Sequence, residues 1–333
     1  DYLSSKYDAE KIANDISVNI VTAYLQLLYN TDLVEVSQQK VDISELQVER
    51  ITKMVEVGSL PKGDLLNTES QKAQEELQLV NAQNQRDIAK LNLMQLLDLS
   101  VSESFDIVQL EVEVNENYST VDNQAVYTQA LENLPDVKSA ETKLKSSERS
   151  LAISQGARSP RLSLSASVGT LYSDANKRLV YDSIGAIPTP QDYPFEDQFN
   201  DNVSQAISLS LSIPIFNNWQ ANSSISRSKI GVLQAQYSLQ EAKNNLRKTI
   251  EQAQNDARSA QKKYIASKKS VAYQEESFQY TQNKYDLQLV NSYDYNNAKN
   301  TLFKAEADLL QSKYDFLFKT KMLDFYMGKP LIF

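Results

Sequence analysis

Histidine and cysteine, on which most acid–base, nucleophilic and zinc chemistry depends, are both absent from this chain. It contains neither a phosphate-cradling glycine loop nor an HExxH helix. Two groups of polar side chains remain to be explained. The first lies in the serine-striped runs RLSLSASVG (161–169) and ISLSLSIPI (207–215). Leu162, Leu164, Ala166 and Val168, then Ile207, Leu209, Leu211 and Ile213, recur there at every second position. Alternation at that period makes an extended strand with one apolar face and one hydroxyl face. A row of serine hydroxyls with no base beside it lines water rather than attacking a substrate. The second group is Asp64 and Asp294, which close the turns VGSLPKGD and LQLVNSYD and open the helices that follow. An aspartate there caps a helix N-terminus and complements its dipole. The chain is therefore read as not an enzyme, with no cofactor and no metal site.

Long elements must position these residues. Only 7 glycines and 8 prolines punctuate 333 residues, so the chain has few places to turn. A net charge of −9, with no clustered basic face, argues against nucleic acid as a partner. No run of 18 apolar residues exists, which excludes a membrane-spanning helix.

Sliding the chain against itself by 230 positions reveals two tandem repeats. Tyr7 falls on Tyr237, Asn14 on Asn244, Ile20 on Ile250, Asp64 on Asp294, Asn67 on Asn297 and Leu93 on Leu323. Ile20, Leu27, Val34, Val41, Val48 and Val55 recur at strict sevens, and their images from Ile250 to Tyr285 keep the same beat. Such a heptad period predicts long coiled-coil helices. The companion seam is mixed, with Ile16, Ala23 and Ile51 apolar but Asn30, Ser37 and Ser44 polar. Apolar burial is weaker along such a seam, so these helices are expected to slide. On the last helix, Leu302, Leu309, Phe316 and Leu323 form one stripe and Phe303, Leu310, Tyr314 and Leu317 a second. Two stripes predict neighbours on both sides, as in a ring of helices, or burial within a bundle.

The fold class expected is mainly α with a β-barrel portion. Each repeat is a helical hairpin, and a strand pair lies between them. The divisions are a first hairpin (1–99), a connector (100–134) with a short strand near Leu110 to Val114, and a helix leading to the strands (135–160). A β-hairpin (161–216) with a polar exposed loop (174–202) and a second hairpin (217–333) complete them. Strands of this length fit a bilayer, with Tyr172 at one end and Phe216 and Trp219 at the other as interface aromatics. An amphipathic hairpin on a soluble domain is the alternative. Two strands cannot close a barrel, so others must join them.

The chain resembles the TolC-like outer-membrane efflux proteins, the outer-membrane factors of multidrug efflux pumps and type I secretion systems. The likeness covers about 9 to 329. Asn133-Leu-Pro-Asp-Val-Lys138 leads through Ala157-Arg-Ser-Pro160 into the first strand; Ile213-Pro-Ile-Phe216 leaves the second; Asp64 and Asp294 end the paired tips; Met327-Gly328 closes the second repeat. The resemblance implies a homotrimer whose twelve-stranded transmembrane barrel continues into a helical barrel, an α-barrel, through the periplasm. The same resemblance implies a place in a Gram-negative outer membrane, contact with outer-membrane lipid, and work with a periplasmic adaptor and an inner-membrane pump. A counterpart of segment 122–230 is expected ahead of residue 1, so the chain is read as N-terminally incomplete.

The resemblance also implies site residues. Asp294 matches an acidic residue of the family's entrance ring, and Asn297 stands where a second acid occurs. Tyr285 and Asp64 match a pair that links neighbouring hairpins in the closed gate. Val290 replaces an arginine that helps hold that closure in the best-known member. Gly58, Ser59, Leu60, Leu287 and Leu289 are the expected adaptor contacts. The lipid-facing set is Leu162, Leu164, Ala166, Val168, Ile207, Leu209, Leu211 and Ile213. The function expected is a passive exit duct gated at the periplasmic helix tips; a soluble or periplasmic coiled-coil adaptor or structural protein is the alternative.

Overall fold

A computed structural model describes residues 1–100, 105–108, 122–181 and 187–331. The strand expected near Leu110 to Val114 lies outside these residues. In chain order the elements are α1 (Tyr2–Glu56), α2 (Lys62–Leu96), α3 (Asn123–Asn133), α4 (Pro135–Gly156), β1 (Arg161–Gly169), β2 (Lys177–Val180), β3 (Thr189–Asp192), α5 (Phe195–Asp201), β4 (Ser204–Ser212), α6 (Gln220–Asp286) and α7 (Ser292–Tyr326). The chain divides into two compact units, residues 1–144 with 235–333, and residues 145–234.

In the first unit four long helices lie side by side in the order α2, α1, α7, α6. Leu27 of α1 packs on Ala89 and Leu93 of α2, and Leu25 and Leu28 of α1 pack on Tyr314 and Leu317 of α7. Phe278 of α6 packs on Tyr295 and Leu302 of α7, and Tyr264 stacks on Phe316. The two stripes of α7 thus face two different neighbours, α1 and α6. At the other end of the helices, Val126 and Ala130 of α3 join Leu134, Val137 of α4, and Leu246 and Ile250 of α6 in a separate core. Pro135 separates α3 from α4. Leu134 before it is extended, as a residue preceding proline must be, and Pro135 then supplies a first helical position that needs no N–H.

The repeat reaches down to single hydrogen bonds. α1 ends with Gly58 N–H on the Val55 carbonyl and Ser59 N–H on Met54, and α6 ends with Gln288 N–H on Tyr285 and Leu289 N–H on Lys284. α2 and α7 close in the same way around Asp98 and Gly328. All four are Schellman motifs, each needing a left-handed residue just past the helix. Gly58 and Gly328 adopt it freely at φ 72° and 75°, whereas Gln288 and Asp98 hold 59° and 55° with a side chain.

The mixed seam of α1 is not loose. Asn30, Ser44 and Ile51 are all buried, whereas Ile16 is exposed. Asn30 donates to the Gln85 carbonyl at 3.1 Å, and Ser44 joins an ionic cluster described below. Asn30 and Ser44 pack because each has a partner on a neighbouring helix, and Ser37 bonds the Leu33 carbonyl of its own helix.

The second unit holds the strands. β1 and β4 pair antiparallel over nine residues each, and β2 and β3 form a second pair. Segment 174–202, read from sequence as a polar loop, thus carries two strands and α5. Gln198 is buried there, bonding the backbone of Ser173 and Tyr193. β4 begins at Ser204 rather than Ile207, which leaves Ile213 beyond its end.

Candidate functional site

The ends of α1 and α6 and the starts of α2 and α7 enclose a cavity of about 1000 Å³, lined among others by Arg50, Asp64, Tyr285, Asp294 and Asn297. The four residues that the family resemblance expects at a gate therefore line one cavity, together with Arg50. Ser59, Leu60, Leu289 and Val290 also line it. Gly58 lies in the turn beside it, and Leu287 and Leu289 are exposed.

Tyr285 sits at the centre of an aromatic and ionic group. Its ring stacks on Tyr295 at 4.7 Å, and Tyr295 in turn meets Phe278 at 5.5 Å. The Tyr285 hydroxyl lies 3.3 Å from the Ser292 hydroxyl, so within one chain it is Ser292 and not Asp64 that the phenol meets. Arg50 of α1 lies over the Tyr285 ring at 5.6 Å and forms an ion pair with Asp286. Burial, with the negative charge of Asp286 second, pushes the Tyr295 phenol up to about 12. No local motif announces Arg50, because its partners lie in the other repeat. It places a guanidinium in the cavity that Val290 also lines.

The two aspartates do not cap their helices. Asn291 is the N-cap of α7 and accepts from the Asp294 N–H at 2.9 Å; α2 starts after Pro61, with no side-chain cap. Asp64 and Asp294 both stand at the third helical position, where an acid still complements the dipole. Their carboxylates are left to face the cavity.

Farther from the tips, an ion pair is buried among three helices. Lys299 of α7 is 0% exposed, and Glu75 of α2 and Ser44 of α1 are 1% exposed. Lys299 Nζ lies 2.9 Å from Glu75 Oε1 and also donates to Ser44 Oγ, whose hydroxyl donates to Glu75 Oε2. Gln71 donates to Glu75 Oε1 at 2.9 Å. Burial pulls the Lys299 amine below its ordinary value, against the opposing pull of Glu75. Sequence reading saw Ser44 only as a polar break in a seam.

On the β1/β4 pair the register sets like against like. Leu162 faces Leu211, Leu164 faces Leu209 and Ala166 faces Ile207, while Ser163 faces Ser210 and Ser165 faces Ser208. The Ser165 and Ser208 hydroxyls meet at 2.7 Å. Val168 faces Gln205, which ends the apolar stripe. Both faces are exposed, Leu164 at 73% and Leu209 at 68%. Tyr172, past β1, packs at 5.1 Å on Phe195 of α5, which lies 5.7 Å from Phe199; Phe216 and Trp219 are exposed after β4. No helix among the described residues is long and apolar enough to cross a membrane.

Paired long helices interrupted by a two-faced strand pair are a fold shared with solved outer-membrane channels. A membrane protein from Pseudomonas aeruginosa superposes with a TM-score of 0.77 at 16% identity, covering 98% of this chain and 71% of its own. The outer membrane protein VceC of Vibrio cholerae gives 0.77 at 15% identity, covering 99% and 74%. The fold is thus shared with these two proteins. The chain belongs to the outer membrane efflux protein family, whose sequence model matches residues 1–98 and 126–329. The outer membrane protein TolC of Escherichia coli (strain K12) is 24% identical over 307 residues, which is 90% of this chain and 58% of that protein. The chain therefore spans 58% of the length of this relative.

Proposed function

We propose that this protein is the outer-membrane exit duct of a tripartite efflux pump or a type I secretion system: a passive conduit gated at its periplasmic helix tips, supplied by an adaptor and an inner-membrane pump. The observation that carries this reading is the β1/β4 pair. Its apolar row has no cover among the described residues, and burying one such side chain is worth about 1.5–3 kcal/mol. A stripe of Leu164, Leu209, Leu162 and Leu211 left in water would be an aggregation site; against lipid it is satisfied. The serine row then faces a wet bore.

Two strands leave open edges, which lipid does not tolerate, so the barrel takes strands from other copies or segments. The helices call for copies as well. The order α2, α1, α7, α6 leaves the outer flanks of α2 and α6 open. On α2 that flank carries exposed Leu66, Leu77, Val80, Ile88 and Leu91, and on α6 exposed Tyr273 and Tyr280. Different flanks that satisfy each other in successive copies make a heterologous, ring-closing interface. Family likeness supports three copies.

Spin labels at Leu164 and Leu209 in the reconstituted protein test the reading. Lipid-dissolved oxygen is expected to relax them and aqueous quenchers to leave them untouched. Labels open to water and silent to lipid would remove the pore, and would favour a soluble coiled-coil role.

A further inference from the structure

The helix seams of the first unit are periodic, and periodic seams have a weakness. Val34, Val41, Val48 and Val55 on α1 recur at sevens, as do Leu302, Leu309, Phe316 and Leu323 on α7. The first row faces α2 and the second faces α6, and a slip of one heptad, about 10.5 Å, along either seam exchanges like for like. Apolar packing alone does not choose between the settings.

We propose that the buried Lys299–Glu75–Ser44 cluster is the register key of the helix array, holding α7 at one heptad setting against α1 and α2 and excluding the neighbouring ones. Three observations support this. First, the cluster draws one residue from each helix, so moving any one helix breaks it. Second, a one-heptad slip would carry Lys299 from Ser44 to Ser37 or Ile51. The Ser37 hydroxyl donates to the Leu33 carbonyl of its own helix at 2.7 Å, so it would not donate to Glu75 as Ser44 does, and Ile51 offers nothing to a cation. Glu75 would stay behind with Ser44 and Gln71, a buried carboxylate stripped of its counter-charge. The other nearby cation, Lys40, is held by Gln78 at 3.1 Å and lies over the Phe303 ring. Third, the cluster breaks the repeat. The images of Ser44 and Glu75 are Gln274 and Ala305, and the position equivalent to Lys299 is Glu69, so the key exists at one place only. A single polar group in an apolar seam fixes coiled-coil register in this way, often at no gain in stability. In the channel reading, which the register claim does not need, tip movement is then confined to the segment between the cluster and the turns.

Cysteine is absent from the sequence, so labelling is clean. Spin labels at exposed Leu46 and Gln311, in chains diluted with unlabelled ones, report the α1–α7 setting as a distance in detergent. The parent is expected to give one narrow distance. Glu75→Met with Lys299→Met is expected to fold, to melt no lower than the parent, and to show a second population slipped by about 10 Å along the helices. Charge reversal, Glu75→Lys with Lys299→Glu, is expected to restore one distance. A single unchanged distance in the double-methionine protein would overturn the proposal. So would its failure to fold, since the cluster would then be needed for packing rather than register. A parent that conducts no ions would remove the channel reading and leave the distance result standing.

Discussion

Arg50 and Asp286 form an ion pair between the end of α1 and the end of α6, and the same guanidinium lies 5.6 Å from the centre of the Tyr285 ring. The contact joins the first hairpin to the second at the tips. Both side chains are more than a third exposed, so the pair adds at most about 1 kcal/mol to global stability. Its leverage is local, because it ties two helix ends that the turns otherwise leave free. Arg50→Ala and Asp286→Ala are each expected to lower the melting temperature little and to raise single-channel conductance in planar bilayers. The double variant is expected to conduct no more than either single one, as members of one pair behave. Additive increases would show that the two act separately.

Most of the long architecture could be read from the residues. Heptads, scarce glycine and the shift of 230 sufficed to place two helical hairpins around a strand pair, because those features are periodic and local. What escaped was set by contacts between distant segments. Arg50 meets Asp286 across the two repeats, and Lys299 finds Glu75 and Ser44 across three helices. No spacing rule pairs such residues. The two strands and α5 inside the exposed loop 174–202 went unread for a related reason. Gln198 reads as polar filler, yet it holds α5 in place through three backbone bonds. Asp64, Tyr285, Asp294 and Asn297 were singled out only through family likeness, and they line one cavity.

Gly328 explains why two separated motifs occur together. It closes α7 at φ 75°, and a Cβ built there would lie 2.6 Å from the Asn133 side-chain nitrogen, at the end of α3. Gly328→Ala combines a left-handed alanine, costing about 1–2 kcal/mol, with that collision. A drop of this size or more in chemical-denaturation stability is expected. Combining it with Asn133→Ala should recover the steric share and leave the conformational one. Equal losses in both backgrounds would show that Asn133 gives way freely.

Tyr295 gives the tips an alkaline limit. Its phenol is raised from the ordinary 10.0 to about 12, so between those values the folded state keeps a proton that the unfolded chain releases. Folding stability keeps its full value below pH 10 and is lost as pH climbs through 12. At full effect two pKa units amount to about 2.7 kcal/mol. Tyr295→Phe is expected to leave neutral-pH stability nearly unchanged and to flatten this alkaline fall. Denaturant titrations at neutral pH and across the alkaline window measure both. An unchanged alkaline slope would exclude Tyr295 as its source.

Asp294 separates a charge effect from a helix effect. Asn291 already caps α7, and Asp294 at the third position contributes to the helix dipole by about 0.3–1 kcal/mol. In three copies around an axis the same carboxylates would draw cations into the entrance, since like charges that converge favour a counter-ion between them. Under a salt gradient the parent is expected to show a cation-selective reversal potential. Asp294→Asn keeps the size and removes the charge, and is expected to move that potential toward zero with little change in melting temperature. Asp64→Asn, at the equivalent place in the first hairpin, is the internal comparison. A reversal potential that stays put in Asp294→Asn while helix stability falls would reduce the residue to a helix-dipole role and end the ring.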